Sequence, residues 1–154
     1  MKIEEKVAEL LTTKKKTLSI AESCTGGLLT HRLTNIPGSS NFIKFGIVTY
    51  CNEAKTKFLK IPEMLLKKKG AVCEEVAELM AKGVRKINKT DFGIGITGIA
   101  GPDGGTKAKP VGLVYMAVDT GVETLCLKCQ FEGSRTEIKK QATEQALKLL
   151  SEFL

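Results

Sequence analysis

The order of predicted strands and helices constrains the fold of this chain more than any other feature. Up to the third predicted strand, segments with helical spacing of apolar residues alternate with short β-branched or aromatic segments. Strand–helix–strand units of this kind form parallel pairs with right-handed crossovers. The predicted helices cover 2–15, 25–35, 52–60, 73–88 and 135–152, and the predicted strands cover 17–22, 45–51, 91–98, 112–120 and 122–131.

The last two predicted strands are joined only by a short link around Gly121. A link this short makes an antiparallel hairpin. A capping box formed by Ser134 and Glu137 then opens the final helix, and Asn52 is predicted to cap an earlier one. We therefore predict an α/β fold: one three-layer α/β/α domain spanning 1–154, with a mixed, mostly parallel sheet of about five strands and a C-terminal antiparallel hairpin.

The formal charge of +7 comes almost entirely from lysine, and the chain has two Tyr and no Trp. Specific nucleic-acid recognition favours arginine forks and aromatic stacking platforms, so we expect no nucleic-acid partner. No apolar segment is long enough to span a membrane, and the N-terminal segment mixes acids with its apolar residues. These features predict a cytoplasmic protein without a membrane partner.

Cysteine and histidine usage argues against a metal site. The five cysteines are scattered and odd in number, and Cys126 and Cys129 lie on a predicted strand, where residues three apart point to opposite faces. His31 is the one histidine and falls within a predicted helix. We expect neither a metal nor an organic cofactor.

Three polar, glycine-rich segments follow the three parallel strands: residues 23–27, 50–55 and 97–105. In sheets of this type, ligands bind beyond the carboxyl ends of the strands. These segments should therefore converge on one site.

Ser23 stands between a strand and a predicted helix start, and its position allows two interpretations. Its hydroxyl is either a nucleophile raised above the sheet or a helix cap. In the first interpretation, the backbone N–H groups of Thr25, Gly26 and Gly27 point toward a phosphate or a developing oxyanion.

Lys55 is the candidate base for such a serine, since the lone histidine is poorly placed. A neutral lysine can accept the proton if its pKa falls toward about 7–8, and burial at a helix start favours such a fall. The alternative is an ordinary surface lysine. Tyr50 could hydrogen-bond to Ser23 or Lys55, or its ring could simply pack at the edge of the site. The nearby acids Glu22 and Glu53 could act in acid–base chemistry or bind a cation. Each could equally cap a backbone N–H or pair with Lys55.

Five motifs occur in order over nearly the whole chain: AESCTGG (21–27), GIVTYCNEAK (46–55), GAVCEEVA (70–77), TGIAGPDGG (97–105) and KPVGLVYMAV (109–118). Together they resemble the CinA C-terminal domain family, whose members include the nicotinamide-nucleotide amidases. The resemblance implies hydrolysis of nicotinamide mononucleotide to nicotinic acid mononucleotide and ammonia, in pyridine-nucleotide salvage. It also implies a homo-oligomer. Cys51 and Cys73 depart from the hydroxyl residues that are usual in the family at these positions.

The resemblance assigns the nucleophile to Ser23, the base to Lys55 and an assisting role to Tyr50. The candidate substrate-binding residues are Thr25, Gly26, Gly27, Asn52, Glu53, Thr97, Gly98, Ala100, Gly101 and Arg135. Two alternatives remain at this point. One is a non-enzymatic nucleotide-binding or regulatory module, and the other is a Ser/Lys hydrolase of a different small amide.

Overall fold

The computed structural model describes residues Met1–Leu154 and contains six α-helices and five strands. The helices are α1 (Ile3–Thr13), α2 (Leu28–Thr34), α3 (Asn52–Leu59), α4 (Glu63–Lys69), α5 (Glu74–Asn88) and α6 (Arg135–Ser151). The strands are β1 (Leu18–Glu22), β2 (Ile43–Val48), β3 (Phe92–Gly98), β4 (Leu113–Asp119) and β5 (Thr124–Gln130). A short 3-10 turn, Ser39–Asn41, precedes β2.

The strands form one mixed sheet in the order β2-β1-β3-β4-β5. β1 pairs in parallel with both β2 and β3, whereas β4 is antiparallel to β3 and to β5. β4 therefore runs against the other four strands, and the predicted mixed sheet with a C-terminal hairpin is confirmed. No helix of the structure is long and apolar enough to cross a lipid bilayer.

Two local predictions were wrong. β2 ends at Val48 rather than continuing through residue 51, because its neighbour β1 ends at Glu22. The last hydrogen bond between the two strands runs from the Thr49 N–H to the Glu22 carbonyl oxygen, at 2.9 Å. Cys51, not Asn52, occupies the cap position of α3, and no side chain caps this helix. The capping box of Ser134 and Glu137 is present as predicted.

Helices cover both faces of the sheet. The larger core packs α1, α2 and α6 against one face, with Leu11, Leu33 and Leu147 fully buried. A smaller core lies on the other face beneath α3, α4 and α5 and includes Ile61 and Met80. This arrangement leaves the carboxyl ends of β1 and β3 open at one end of the sheet.

Helix α5 lies unusually close to β3 because β3 carries glycine at the contact. A Cβ on Gly95 would overlap the Ala77 carbonyl oxygen and would lie 2.7 Å from the Ala81 nitrogen. Both obstacles are backbone atoms of α5, which cannot rotate away. This close packing holds β3 directly against α5.

We expect Gly95→Ala to lower the free energy of unfolding by about 1–3 kcal/mol, because the added methyl must push α5 off the sheet. Urea denaturation monitored by circular dichroism measures this change. Lys128→Ala, an exposed change on β5, is the control and should stay within about 0.5 kcal/mol of the parent. Equal midpoints for Gly95→Ala and the parent would contradict the close-packing argument.

Candidate active site

A cavity of about 250 Å³ opens where β1 and β3 end. Its walls come from five separate parts of the chain: the turn after β1, the segment from Tyr50 to Lys55 that includes the start of α3, the α4–α5 connection, the loop after β3, and the start of α6. The lining residues are Ser23, Cys24, Tyr50, Lys55, Ala71, Val72, Thr97, Gly98, Ile99, Ala100, Gly101, Asp103, Gly104 and Arg135. The three strand exits therefore converge, as the sequence predicts.

Ser23 and Lys55 are in direct contact within this cavity. Lys55 Nζ lies 2.9 Å from Ser23 Oγ and 2.6 Å from the Thr49 carbonyl oxygen. The Lys55 side chain comes from the first turn of α3 and is only 1% exposed. Ser23 does not cap a helix, since α2 begins after Gly27 and has no side-chain cap.

The environment of Lys55 favours the neutral amine. Burial lowers the pKa of Lys55 from its ordinary value and outweighs the opposing charge effect of the Cys24 and Cys51 sulfurs. No carboxylate lies within salt-bridge distance of the amine. A buried lysine without a counter-ion, touching a serine hydroxyl, has the arrangement of a base beside its nucleophile.

Cys24, the residue after Ser23, lines the cavity but is not a competing nucleophile. Burial raises the pKa of its thiol to about 12, so the thiolate is scarce at neutral pH. Its backbone N–H donates to no other residue of the chain. The N–H of the residue that follows a nucleophile is well placed to receive a developing oxyanion.

Tyr50 and Arg135 form a bridge over the cavity. Arg135 Nη2 donates to the Tyr50 hydroxyl oxygen at 2.9 Å, and Nη1 donates to the Gly101 carbonyl oxygen. This bridge joins the first residue of α6 to the exits of β2 and β3. Tyr50 is 59% exposed and contacts Arg135 rather than Ser23 or Lys55.

The predicted substrate-binding residues divide into two groups. Thr97, Gly98, Ala100, Gly101 and Arg135 line the cavity. The remaining predicted residues do not line it; they are Thr25, Gly26, Gly27, Asn52 and Glu53.

The second group is placed elsewhere by its local contacts. The Gly26 N–H donates to the Ser23 carbonyl oxygen at 3.0 Å, so it is not free for an oxyanion. The Thr25 hydroxyl donates to the buried Glu22 carboxylate at 2.6 Å. Asn52 and Glu53 lie exposed on the first turn of α3, where the backbone N–H of Glu53 and the Cys51 side chain lower the pKa of the Glu53 carboxyl.

The strand-exit argument misses Ala71 and Val72, which line the cavity from the α4–α5 connection. They precede a helix instead of following a strand, so the topology alone does not point to them. The Thr97 hydroxyl donates to the Ala71 carbonyl oxygen at 2.9 Å and holds this segment at the cavity. The GAVC sequence motif at 70–73 is the signal that could have revealed them.

Glu22 is a structural group and does not contact Lys55. Its fully buried carboxylate accepts four hydrogen bonds: from the Thr25 hydroxyl, from the backbone N–H groups of Leu29 and Thr30, and from the Thr30 hydroxyl. It thereby holds the first turn of α2 against the end of β1. No cluster of three His, Cys, Asp or Glu side chains is present that could hold a metal ion.

We expect Glu22→Ala to lower the free energy of unfolding by about 3 kcal/mol, because several buried donors lose their acceptor together. Thermal and urea denaturation provide the measurement. The control is Glu53→Ala, which removes an exposed carboxylate nearby and should change stability by about 0.5 kcal/mol or less. A Glu22→Ala protein with parental stability would show that this carboxylate does not hold α2.

The sequence comparisons identify the family to which this chain is similar. The sequence model of the CinA C-terminal domain family matches residues 1–154. A CinA-like protein from Syntrophus aciditrophicus is 52% identical over 99% of this chain, and a putative competence-damage inducible protein from Moorella thermoacetica is 53% identical over 96%. The chain covers 36% of each of these two relatives, so it spans about a third of their length.

Solved structures show the same fold. The crystal structure of the competence/damage inducible protein CihA from Agrobacterium tumefaciens matches with a TM-score of 0.94 and 37% identity, covering 96% of this chain and 91% of that chain. A competence damage-inducible protein from Klebsiella pneumoniae matches with the same TM-score at 32% identity, covering 97% of this chain and 93% of that one. With the full-length family match and the shared fold, this chain belongs to the CinA C-terminal domain family.

Proposed function

We propose that this protein hydrolyses the carboxamide of nicotinamide mononucleotide, giving nicotinic acid mononucleotide and ammonia, and so serves pyridine-nucleotide salvage. The observation that carries the proposal is the buried Lys55 amine, 2.9 Å from Ser23 Oγ and without a carboxylate partner. An amide is a poor electrophile, so its hydrolysis requires an activated nucleophile of this kind.

The first half-reaction forms an acyl-enzyme. Neutral Lys55 accepts the Ser23 proton while Oγ attacks the carboxamide carbon, and the free N–H of Cys24 receives the oxyanion. The tetrahedral intermediate then breaks its C–N bond, and the Lys55 ammonium returns the proton to the departing ammonia. Gly26 is no oxyanion donor in this scheme, because its N–H is occupied.

The second half-reaction restores the enzyme. Water attacks the acyl carbon as Lys55 accepts its proton, and the ester C–O bond breaks to release the carboxylate product. Ser23 regains a proton from Lys55. Because one amine serves as base and acid in both halves, no further titrating side chain is required.

The size of the cavity favours a ligand that places only one of its ends inside it. Its volume of about 250 Å³ lies below the range of roughly 300–1,000 Å³ that is usual for drug-sized ligands. The pyridine carboxamide therefore occupies the cavity beside Ser23, and the sugar phosphate extends along its rim.

The proposal is tested by incubating the purified protein with nicotinamide mononucleotide and measuring ammonia together with the pyridine product by chromatography. We expect equal amounts of ammonia and nicotinic acid mononucleotide. Binding of the nucleotide without ammonia release would favour a binding module. Ammonia release from other small amides, but not from the nucleotide, would identify a different Ser/Lys hydrolase.

A further inference from the structure

The Lys55 amine makes two hydrogen bonds, and the two partners differ in what they can do. Thr49 contributes a carbonyl oxygen at 2.6 Å, which can only accept, whereas Ser23 contributes a hydroxyl at 2.9 Å, which can also donate. A neutral amine has two N–H groups and one lone pair. Because the Thr49 carbonyl takes an N–H, the lone pair is free to face the Ser23 hydroxyl.

The backbone of Thr49 is tied to the strand that carries the nucleophile. Its N–H donates to the carbonyl oxygen of Glu22 at 2.9 Å, and Glu22 directly precedes Ser23. The Ser23 N–H in turn donates to the Ile96 carbonyl oxygen on β3 at 3.0 Å. Backbone hydrogen bonds of the sheet therefore hold the acceptor for Lys55 beside the nucleophile.

The side chain of Thr49 is fully buried, and its hydroxyl has no hydrogen-bond partner. Burying a hydroxyl without a partner is unfavourable, so such a group requires an explanation. Thr56 Oγ1 on α3 is the one other hydroxyl of the protein in this state. Only Thr49, however, also binds the Lys55 amine through its carbonyl.

Protonation of Lys55 creates a donor that the Thr49 hydroxyl can accept. The ammonium has three N–H groups: one donates to the Thr49 carbonyl, and one faces Ser23 and the departing ammonia. No carboxylate lies within salt-bridge distance to accept from the third. The Thr49 hydroxyl belongs to the residue that already binds the amine, and rotation about the Cα–Cβ bond moves it without any shift of the backbone.

We propose that Thr49 is a positioning residue for the base: its carbonyl aims the lone pair of neutral Lys55 at Ser23, and its hydroxyl accepts from the ammonium that forms. This inference rests on the proposed function and deepens it. The proton moves from Ser23 Oγ to Lys55 Nζ and then to the departing ammonia, while Thr49 neither gains nor loses one. The hydroxyl thus stabilises a charge that forms during the reaction, and it has no partner while the amine is neutral.

The other titratable or charged groups around Lys55 stay unchanged in a Thr49 variant. The α4–α5 connection presents only apolar residues to the cavity. The charged and titratable groups come from the end of β1, the segment before α3, the loop after β3 and the start of α6: Glu22, Cys24, Tyr50, Cys51, Asp103 and Arg135. None of them hydrogen-bonds to Lys55 Nζ, so a changed pH profile reports on the Thr49 hydroxyl.

The test compares Thr49→Val and Thr49→Ser with Thr56→Val, which deletes the other buried hydroxyl without a partner. Valine keeps the branching of threonine, and serine keeps its hydroxyl. We expect Thr49→Val to lower kcat about tenfold with KM within about twofold, because a hydrogen bond to a developing charge is lost. The acidic limb of kcat/KM should move to lower pH by about one pH unit, because the ammonium loses an acceptor. Thr49→Ser should restore both quantities.

A purely structural role predicts a different result. Deleting an unsatisfied buried hydroxyl removes its desolvation cost, so both valine variants would raise Tm and neither would change kcat or the pH profile. That result would overturn the inference, as would a Thr49→Ser variant that is no more active than Thr49→Val. If Thr49→Val does not fold, Thr49→Ala and Thr49→Ser provide the same comparison, since they differ only by the hydroxyl.

NMR titration of the Lys55 side chain in lysine-labelled protein separates this inference from the amidase proposal. The Lys55→Arg variant assigns the signal, because it lacks that signal alone. A lower titration midpoint in Thr49→Val than in Thr56→Val supports the role of the hydroxyl even if the parent releases no ammonia. Equal midpoints in the two variants contradict it.

Discussion

Replacing Ser23 with alanine is expected to reduce kcat for ammonia release by about 10⁴-fold or more, because the covalent route needs the hydroxyl oxygen. The substitution removes a single atom next to Lys55 Nζ and leaves the rest of the cavity in place. Affinity for nicotinamide mononucleotide should therefore remain within a few-fold of the parent. The measurements are steady-state ammonia release and equilibrium binding of the substrate.

Ser19→Ala is the matched control for this experiment. Ser19 is a buried serine on the same strand, and its hydroxyl accepts a hydrogen bond from Thr90 away from the cavity. The Ser19→Ala variant should retain near-parental turnover at a temperature where the variant is folded. Near-normal turnover by Ser23→Ala would exclude Ser23 as the nucleophile.

Lys55→Arg is expected to lower kcat by about 10³-fold although it keeps a positive charge, because a guanidinium does not release its proton at working pH. The parent should show an acidic limb in its pH–activity profile. Below the lowered pKa of Lys55 the amine is protonated, so kcat/KM should fall about tenfold for each pH unit. This limb should be absent from the residual activity of Lys55→Arg.

The control for this second experiment is Lys57→Arg, an exposed lysine on the same helix, which should leave the profile unchanged. If Lys55→Arg keeps most of the activity, Lys55 acts only as a charge. The proton acceptor would then be sought at Tyr50, since Glu22 is fully committed to the α2 turn and Glu53 lies outside the cavity.

The convergence of Ser23 and Lys55 could be predicted because it depends on topology. Parallel strands place their carboxyl ends together, and both residues follow such strands. The direction of the Lys55 pKa shift could be predicted from its position at a helix start above the sheet, whereas the extent of its burial depends on how α3 packs.

Details of the turn after β1 could not be predicted, because several groups compete for the same donors. Glu22 takes the first N–H groups of α2, and the Ser23 carbonyl takes the Gly26 N–H. The sequence pattern shows which donors exist and not which acceptors they meet.

The uncompensated amine of Lys55 also links folding to pH. In the unfolded chain a lysine titrates near about 10.4, whereas burial lowers its pKa in the folded protein. Between those two values the unfolded chain binds a proton that the folded chain does not, so this residue's contribution to stability rises with pH through that window. Below the lowered pKa, Lys55 makes its full unfavourable contribution to the free energy of unfolding. The buried Lys55 amine that activates Ser23 therefore destabilises the folded protein most at pH values below its lowered pKa. The same amine thus favours activity and lowers conformational stability.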